Sequence, residues 1–75
     1  MKEIKSYHLR KCSDINMEYA YFEVIDESGS TIFDVSKTNE GELQLLFYSG
    51  APLKYLSLKL FNSIVDDAVR NMESE

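Results

Sequence analysis

The sequence is poor in the residues that build covalent or metal-bound frameworks. Among its 75 residues there is one cysteine, Cys12, and one histidine, His8, and there is no tryptophan. A single cysteine excludes a disulfide within the chain and favours a reducing compartment. One cysteine with one histidine also excludes the common zinc sites, which draw several such ligands. We therefore expect no metal, no cofactor and a cytoplasmic location.

Long apolar runs and glycine-rich motifs are also missing. No stretch approaches the roughly 20 apolar residues of a membrane span, and no apolar run follows Met1, so neither a membrane anchor nor a signal peptide is expected. The three glycines are dispersed and form no phosphate loop or nucleophile elbow. On a strand, His8 and Cys12 would lie about 13 Å apart, too far for a catalytic pair. On a helix they would share a face, but no third group orients them, so we expect no enzyme.

Charge is unevenly spread along this acidic chain. Four basic residues and one acidic residue give +3 over residues 1–12, whereas four basic and twelve acidic residues give −8 over residues 13–75. The acidic body should repel nucleic acid and anionic lipid, so both are unfavoured as partners. The basic N-terminal segment, with Tyr7 and His8 between its charges, leaves RNA binding open as an alternative.

Alternation of side chains predicts a series of β-strands in the first two thirds of the chain. Aromatic and β-branched residues alternate over 17–26, 31–37 and 42–49, with turns at Gly29 and Gly41. Residues 4–12 read as a further strand, although Ile4, Tyr7 and His8 also fit a helical spacing. These segments predict a four-stranded antiparallel meander.

The C-terminal segment predicts one helix over residues 58–72. Its apolar residues recur at helical spacing, and Ser57 precedes it as a good N-cap. The helix should cover one face of the meander, giving a single α+β domain over 1–75 in the order ββββα. The residues expected to face it are Ala20, Phe22, Val24, Phe33, Val35, Leu43, Leu45 and Phe47.

The opposite face of the predicted sheet is apolar enough to require an explanation. It would carry Tyr19, Tyr21, Ile25, Ile32, Leu46 and Tyr48, and tyrosine is enriched at interfaces. Cross-strand pairing in water, or cover by the N-terminal segment, would also account for it. A contact between molecules is the third alternative, and a domain this small gains most from it, because its own core is marginal.

The functional expectation is a small acidic, non-enzymatic protein–protein interaction module. We expect a homodimer, or a complex with another protein, in a regulatory, adaptor or inhibitor role. The alternative is a binder of small ligands or nucleic acid that uses the open aromatic face. An enzyme subunit completed by another chain is a third possibility, for which no motif argues.

Overall fold

The fold is a four-stranded antiparallel sheet with one helix packed on it. The computed structural model describes residues 2–16, 18–48 and 53–73. Its elements in chain order are β1 Lys2–Glu3, β2 Tyr7–Cys12, β3 Tyr21–Asp26, β4 Thr31–Lys37, β5 Leu43–Phe47, β6 Lys54–Tyr55 and α1 Leu58–Glu73. The main sheet has the order β2-β3-β4-β5, every neighbouring pair antiparallel. The α+β class and the meander with its C-terminal helix are thus confirmed.

Two of the predicted strands are present but shorter than predicted. The segment 4–12 forms a strand, not a helix, but that strand is only Tyr7–Cys12, and the strand predicted over 17–26 begins at Tyr21. Met17 lies outside the described residues, as does the end of the strand predicted over 42–49.

A short parallel pair, missed by the sequence analysis, ties the N-terminus to the residues before the helix. Strand β1 pairs with β6, and the backbone N–H of Ile4 donates to the carbonyl of Tyr55 at 2.8 Å. Ile4 is buried as a result. Two-residue strands carry too little alternation to be recognised from a pattern, because the signal needs several residues.

The turns and the helix start follow local rules that the sequence displays. Gly29 and Gly41 both have φ near 87°, the left-handed region in which glycine avoids a steric cost. The Leu60 N–H donates to Ser57 Oγ at 3.0 Å, and the Phe61 N–H donates to the Ser57 carbonyl at 3.0 Å. Ser57 is therefore the N-cap, as predicted.

The core lies between the helix and the two central strands. It is formed by Phe22 and Val24 of β3, Phe33 and Val35 of β4, and Ile64, Ala68 and Met72 of α1. Leu43 and Leu45 line a groove with residues of the helix, and Phe47 contacts the core residue Phe33, so all three face the helix side as expected. All three nevertheless remain exposed. A helix is about 10 Å across and strands are spaced about 4.8 Å apart, so one helix covers about two strands. The edge strand β5 is left out.

A β-bulge changes the predicted alternation of β4. Val24 pairs with Phe33, but the next residue of β3, Ile25, pairs with Thr31, so Ile32 is an extra residue on β4. Ile32 packs against the core rather than standing on the opposite face of the sheet. A bulge resets the alternation of side chains beyond it, and no pattern in a single strand shows where this happens.

Candidate interaction surface

The edge strand β5 is apolar and uncovered. All five of its residues, Leu43, Gln44, Leu45, Leu46 and Phe47, are exposed. It pairs with β4 on one side, and among the described residues no strand lies on its other side. The opposite edge, β2, carries His8, Arg10 and Lys11, and charge of this kind protects an edge strand from pairing with another chain. β5 carries no charge, proline or glycine.

An apolar groove runs between β5 and the helix. It has a volume of about 170 Å³, and its lining consists of Val35, Leu43, Gln44, Leu45, Phe61, Val65 and Val69. The ring of Phe61 contacts that of Phe33, with 5.6 Å between their centroids, but Phe61 is itself only partly buried. The groove thus continues the apolar surface of β5 up the side of the helix.

Two of the six residues predicted for the open face lie elsewhere, and a third is buried. Tyr19 precedes β3 and lines a cavity with Ala20, Lys37 and Met72, and the Lys37 ammonium lies 5.5 Å from its ring centroid. Ile25 is 5% exposed and so presents almost nothing to a partner. Ile32 packs against the core because of the bulge.

The other three predicted residues surround a buried carboxylate. Tyr21 and Leu46 line a pocket of about 220 Å³ with Asp34, Ser36, Gln44 and Leu45. The Tyr48 hydroxyl donates to Asp34 Oδ2 at 2.6 Å. Asp34 is only 5% exposed, although it lies on the face away from the helix, because the larger side chains around it shade it. Its other oxygen, Oδ1, is buried and accepts no hydrogen bond from any described residue.

The electrostatic environment of Asp34 is unfavourable to its charge. Burial raises the pKa of Asp34, the hydrogen bond from Tyr48 lowers it, and the negative charge of Glu23 raises it further, leaving the pKa above its usual range. Glu23 is the cross-strand neighbour of Asp34, and its own carboxylate is bound by the Arg10 guanidinium. Burial and the bond to Asp34 likewise hold the pKa of Tyr48 well above its usual range.

Asp34 was not among the residues predicted for the open face. The available signal was its position between Phe33 and Val35, in the middle of a strand, where aspartate is disfavoured. That signal does not distinguish a solvated carboxylate from a buried one, since the distinction depends on neighbouring strands.

Replacing Asp34 with asparagine should stabilise the protein at neutral pH by about 1 kcal/mol, because the buried charge is removed while an acceptor for Tyr48 remains. A carboxyl whose folded pKa is raised lowers stability once it ionises. This loss of stability is absent below the pKa of Asp34 in the unfolded chain, near 3.8, and complete above the pKa of Asp34 in the folded protein. Urea unfolding of Asp34→Asn and wild type should therefore differ at pH 7 and converge near the unfolded pKa.

Tyr48→Phe is the matched control for that experiment. It removes the Tyr48 hydroxyl that donates to Oδ2 and leaves the carboxylate buried, so we expect it to destabilise the protein at pH 7 by about 1–3 kcal/mol. Equal effects of the two substitutions would contradict the assignment of Asp34 as an unfavourably buried charge.

Two further observations bear on function. Among residues 2–16, 18–48 and 53–73, no group of three or more His, Cys, Asp or Glu side chains is arranged to hold a metal ion. No helix in the same ranges is long and apolar enough to cross a membrane. Comparison with known protein families, with curated proteins and with solved structures gives no significant match.

Proposed function

We propose that this protein is a protein–protein interaction module that forms a homodimer by antiparallel pairing of β5 with β5 of a second copy. One observation carries the proposal: every residue of β5 is exposed, and none is charged. An edge strand of this kind offers free backbone donors and acceptors to another chain. Edge strands of natural proteins are normally protected against such pairing. A regulatory, adaptor or inhibitor role suits such a module.

A second copy of the chain is a complementary occupant for this edge. Antiparallel pairing about a two-fold axis at Leu45 sets Leu43 opposite Phe47 of the partner subunit and Gln44 opposite Leu46 of the partner subunit. The same register sets Glu42 opposite Tyr48 of the partner subunit. No two like charges face each other, although the chain as a whole carries a net charge of −5. The joined sheet would have eight strands, four from each copy.

The size of the domain favours association for an energetic reason. A single core in a chain this short rarely supplies more than about 3–5 kcal/mol. Burying the exposed leucines and Phe47 of β5 adds about 25 cal/mol for each Å² of apolar surface removed from water. Pairing of β5 therefore strengthens the fold where the helix does not reach.

The RNA-binding alternative has less support from the geometry. In that alternative Tyr7 would stack on bases, but its hydroxyl donates to Asp67 Oδ2 at 3.0 Å and its side chain packs against the core. Arg10 is engaged with Glu23. A phosphate-binding surface needs cations that are free to pair with the ligand.

Leu43→Glu should weaken self-association at least about tenfold, because the charge would be desolvated against Phe47 of the partner subunit. Within one chain the new carboxylate lies opposite Lys37, so the monomer should stay folded. The measurement is sedimentation equilibrium over a wide concentration range, with circular dichroism to check the fold.

Ile15→Glu is the matched control, since Ile15 is fully exposed and lies in the loop between β2 and β3, and β2 is the edge of the sheet opposite to β5. It should associate like wild type. A monomeric wild type at all concentrations, or equal effects of the two substitutions, would rule out the β5 dimer.

A further inference from the structure

The pocket around Asp34 combines features of a ligand site, and it shares Gln44, Leu45 and Leu46 of its lining with strand β5. It lies on the sheet face opposite the helix, whereas the groove beside β5 lies on the helix side. Its carboxylate is 5% exposed, and Oδ1 has no hydrogen-bond donor among the described residues. We propose that this pocket binds a cationic N–H donor, a guanidinium or a primary ammonium group, through Asp34.

Charge selects a cation for this site. Asp34 and Glu23 are cross-strand neighbours, and within residues 2–16, 18–48 and 53–73 only Glu23 has a counter-charge, the Arg10 guanidinium. The fold therefore already pairs one of the two carboxylates with a guanidinium and leaves the other without a counter-charge. An anionic ligand would be repelled by Asp34, and a neutral donor would leave its charge uncompensated.

The shape and lining of the pocket suit a planar donor group. Its volume of about 220 Å³ is ample for a guanidinium head and part of its alkyl stem. Tyr21 is in the lining and provides an aromatic ring on which a cation stacks favourably. The Gln44 side-chain NH₂ donates to Ser36 Oγ at 3.0 Å. This bond fixes the orientation of the amide, and the Gln44 side-chain oxygen can serve as an acceptor for the ligand.

Access to Oδ1 requires a small side-chain movement. The atom is covered, and Leu46 and Gln44, both exposed, belong to the lining of the pocket. An exposed side chain changes rotamer readily, so a ligand can displace it at low cost. The gain is a charge-assisted hydrogen bond to an acceptor that otherwise has none.

The test is a titration of the full chain with methylguanidine, followed by amide chemical shifts in ¹H–¹⁵N spectra. We expect saturable shifts at residues 34–36 and 44–46, and at least about tenfold weaker binding of methylurea, which has the same shape without the charge. Asp34→Asn, which keeps the shape of the side chain, should weaken methylguanidine binding by at least about tenfold. Asp14→Asn, an exposed carboxylate elsewhere, should leave binding unchanged.

Equal binding of methylguanidine and methylurea, unchanged binding by Asp34→Asn, or no shifts at millimolar methylguanidine would overturn the proposal. A peptide with one internal arginine is the second arm. Tighter binding of this peptide than of methylguanidine assigns the cation to a protein partner, and equal binding assigns it to a small molecule. Because the pocket shares residues with β5, the titration is repeated in Leu43→Glu, which should be monomeric and should still bind methylguanidine. Asp34→Asn should still self-associate, so the two proposals can fail separately.

Discussion

Phe33→Ala should leave most of the protein unfolded at 25 °C. Phe33 is 1% exposed and lies at the centre of the core, with its ring centroid 5.4 Å from that of Phe47 and 5.6 Å from that of Phe61. Truncating a buried phenylalanine costs about 3–5 kcal/mol, which is as much as a small domain of this type has to lose. Circular dichroism and urea unfolding, with all proteins at one concentration, measure the effect.

Phe47→Ala is the matched control because Phe47 pairs with Phe33 across the strands and yet is exposed. It removes the same number of atoms, mostly from water, so we expect a loss below about 1 kcal/mol at concentrations where the chain is monomeric. If the two substitutions cost the same, the helix does not lie over β3 and β4 as described.

Asp26→Ala should destabilise the protein by about 3–5 kcal/mol, because it leaves a shielded ammonium group without its counter-charge. The Lys54 ammonium binds Asp26 Oδ2, and the Asp26 side chain is 1% exposed and that of Lys54 is 17% exposed. Asp26 Oδ1 also accepts bonds from the Ser28 N–H at 2.9 Å and the Ser30 N–H at 3.1 Å. One carboxylate thus holds both the β3–β4 turn and β6 in place.

Asp14→Ala is the control for Asp26→Ala. Asp14 also accepts a backbone bond, from the Asn16 N–H at 2.8 Å, but in an exposed position. We expect a loss below about 1 kcal/mol, measured by urea unfolding. A similar small loss for Asp26→Ala would show that Lys54 finds water without cost and that the ion pair does not hold β6.

The decrease in the free energy of unfolding at acidic pH should depend on the protonation of Asp26. Burial by itself raises the pKa of this carboxyl, but the bonds from Lys54, Ser28 and Ser30 outweigh burial and hold the pKa well below its usual range. A carboxyl with a lowered folded pKa contributes stability above its unfolded pKa near 3.8 and loses it as the pH falls towards the folded value. Wild type should therefore lose stability in that window, and Asp26→Asn should be flatter there.

Side-chain alternation predicted only part of the sheet face opposite the helix correctly. Alternation correctly places Tyr21, Leu46 and Tyr48 together on the side away from the helix. It fails for Ile32, because a bulge has no signature within one strand, and for Tyr19, because the strand begins later than its alternation implies. Whether this face serves self-association stays a prediction, and the exposed surface of β5 now makes the stronger case for that role.

The sequence by itself determined the elements of this protein. Period-two alternation specified four strands, glycines at positive φ specified two turns, and Ser57 with the apolar stripe behind it specified one helix. Each of these signals is local, because it depends on side-chain direction and on hydrogen bonds between residues close in the chain. Four of the residues expected to face the helix, Phe22, Val24, Phe33 and Val35, do form its core contacts.

Only the tertiary structure determined which surfaces of the strands and the helix stay uncovered and which polar side chains are buried. The helix lies over the two central strands, so β5 remains an exposed apolar edge, and Asp34 is buried by side chains from neighbouring strands. The pairing of β1 with β6 and of Asp26 with Lys54 joins residues far apart in the chain. Such placements depend on the relative position of elements. The apolar stripe of a helix shows that the helix packs on a sheet, but it does not specify which pair of strands the helix covers.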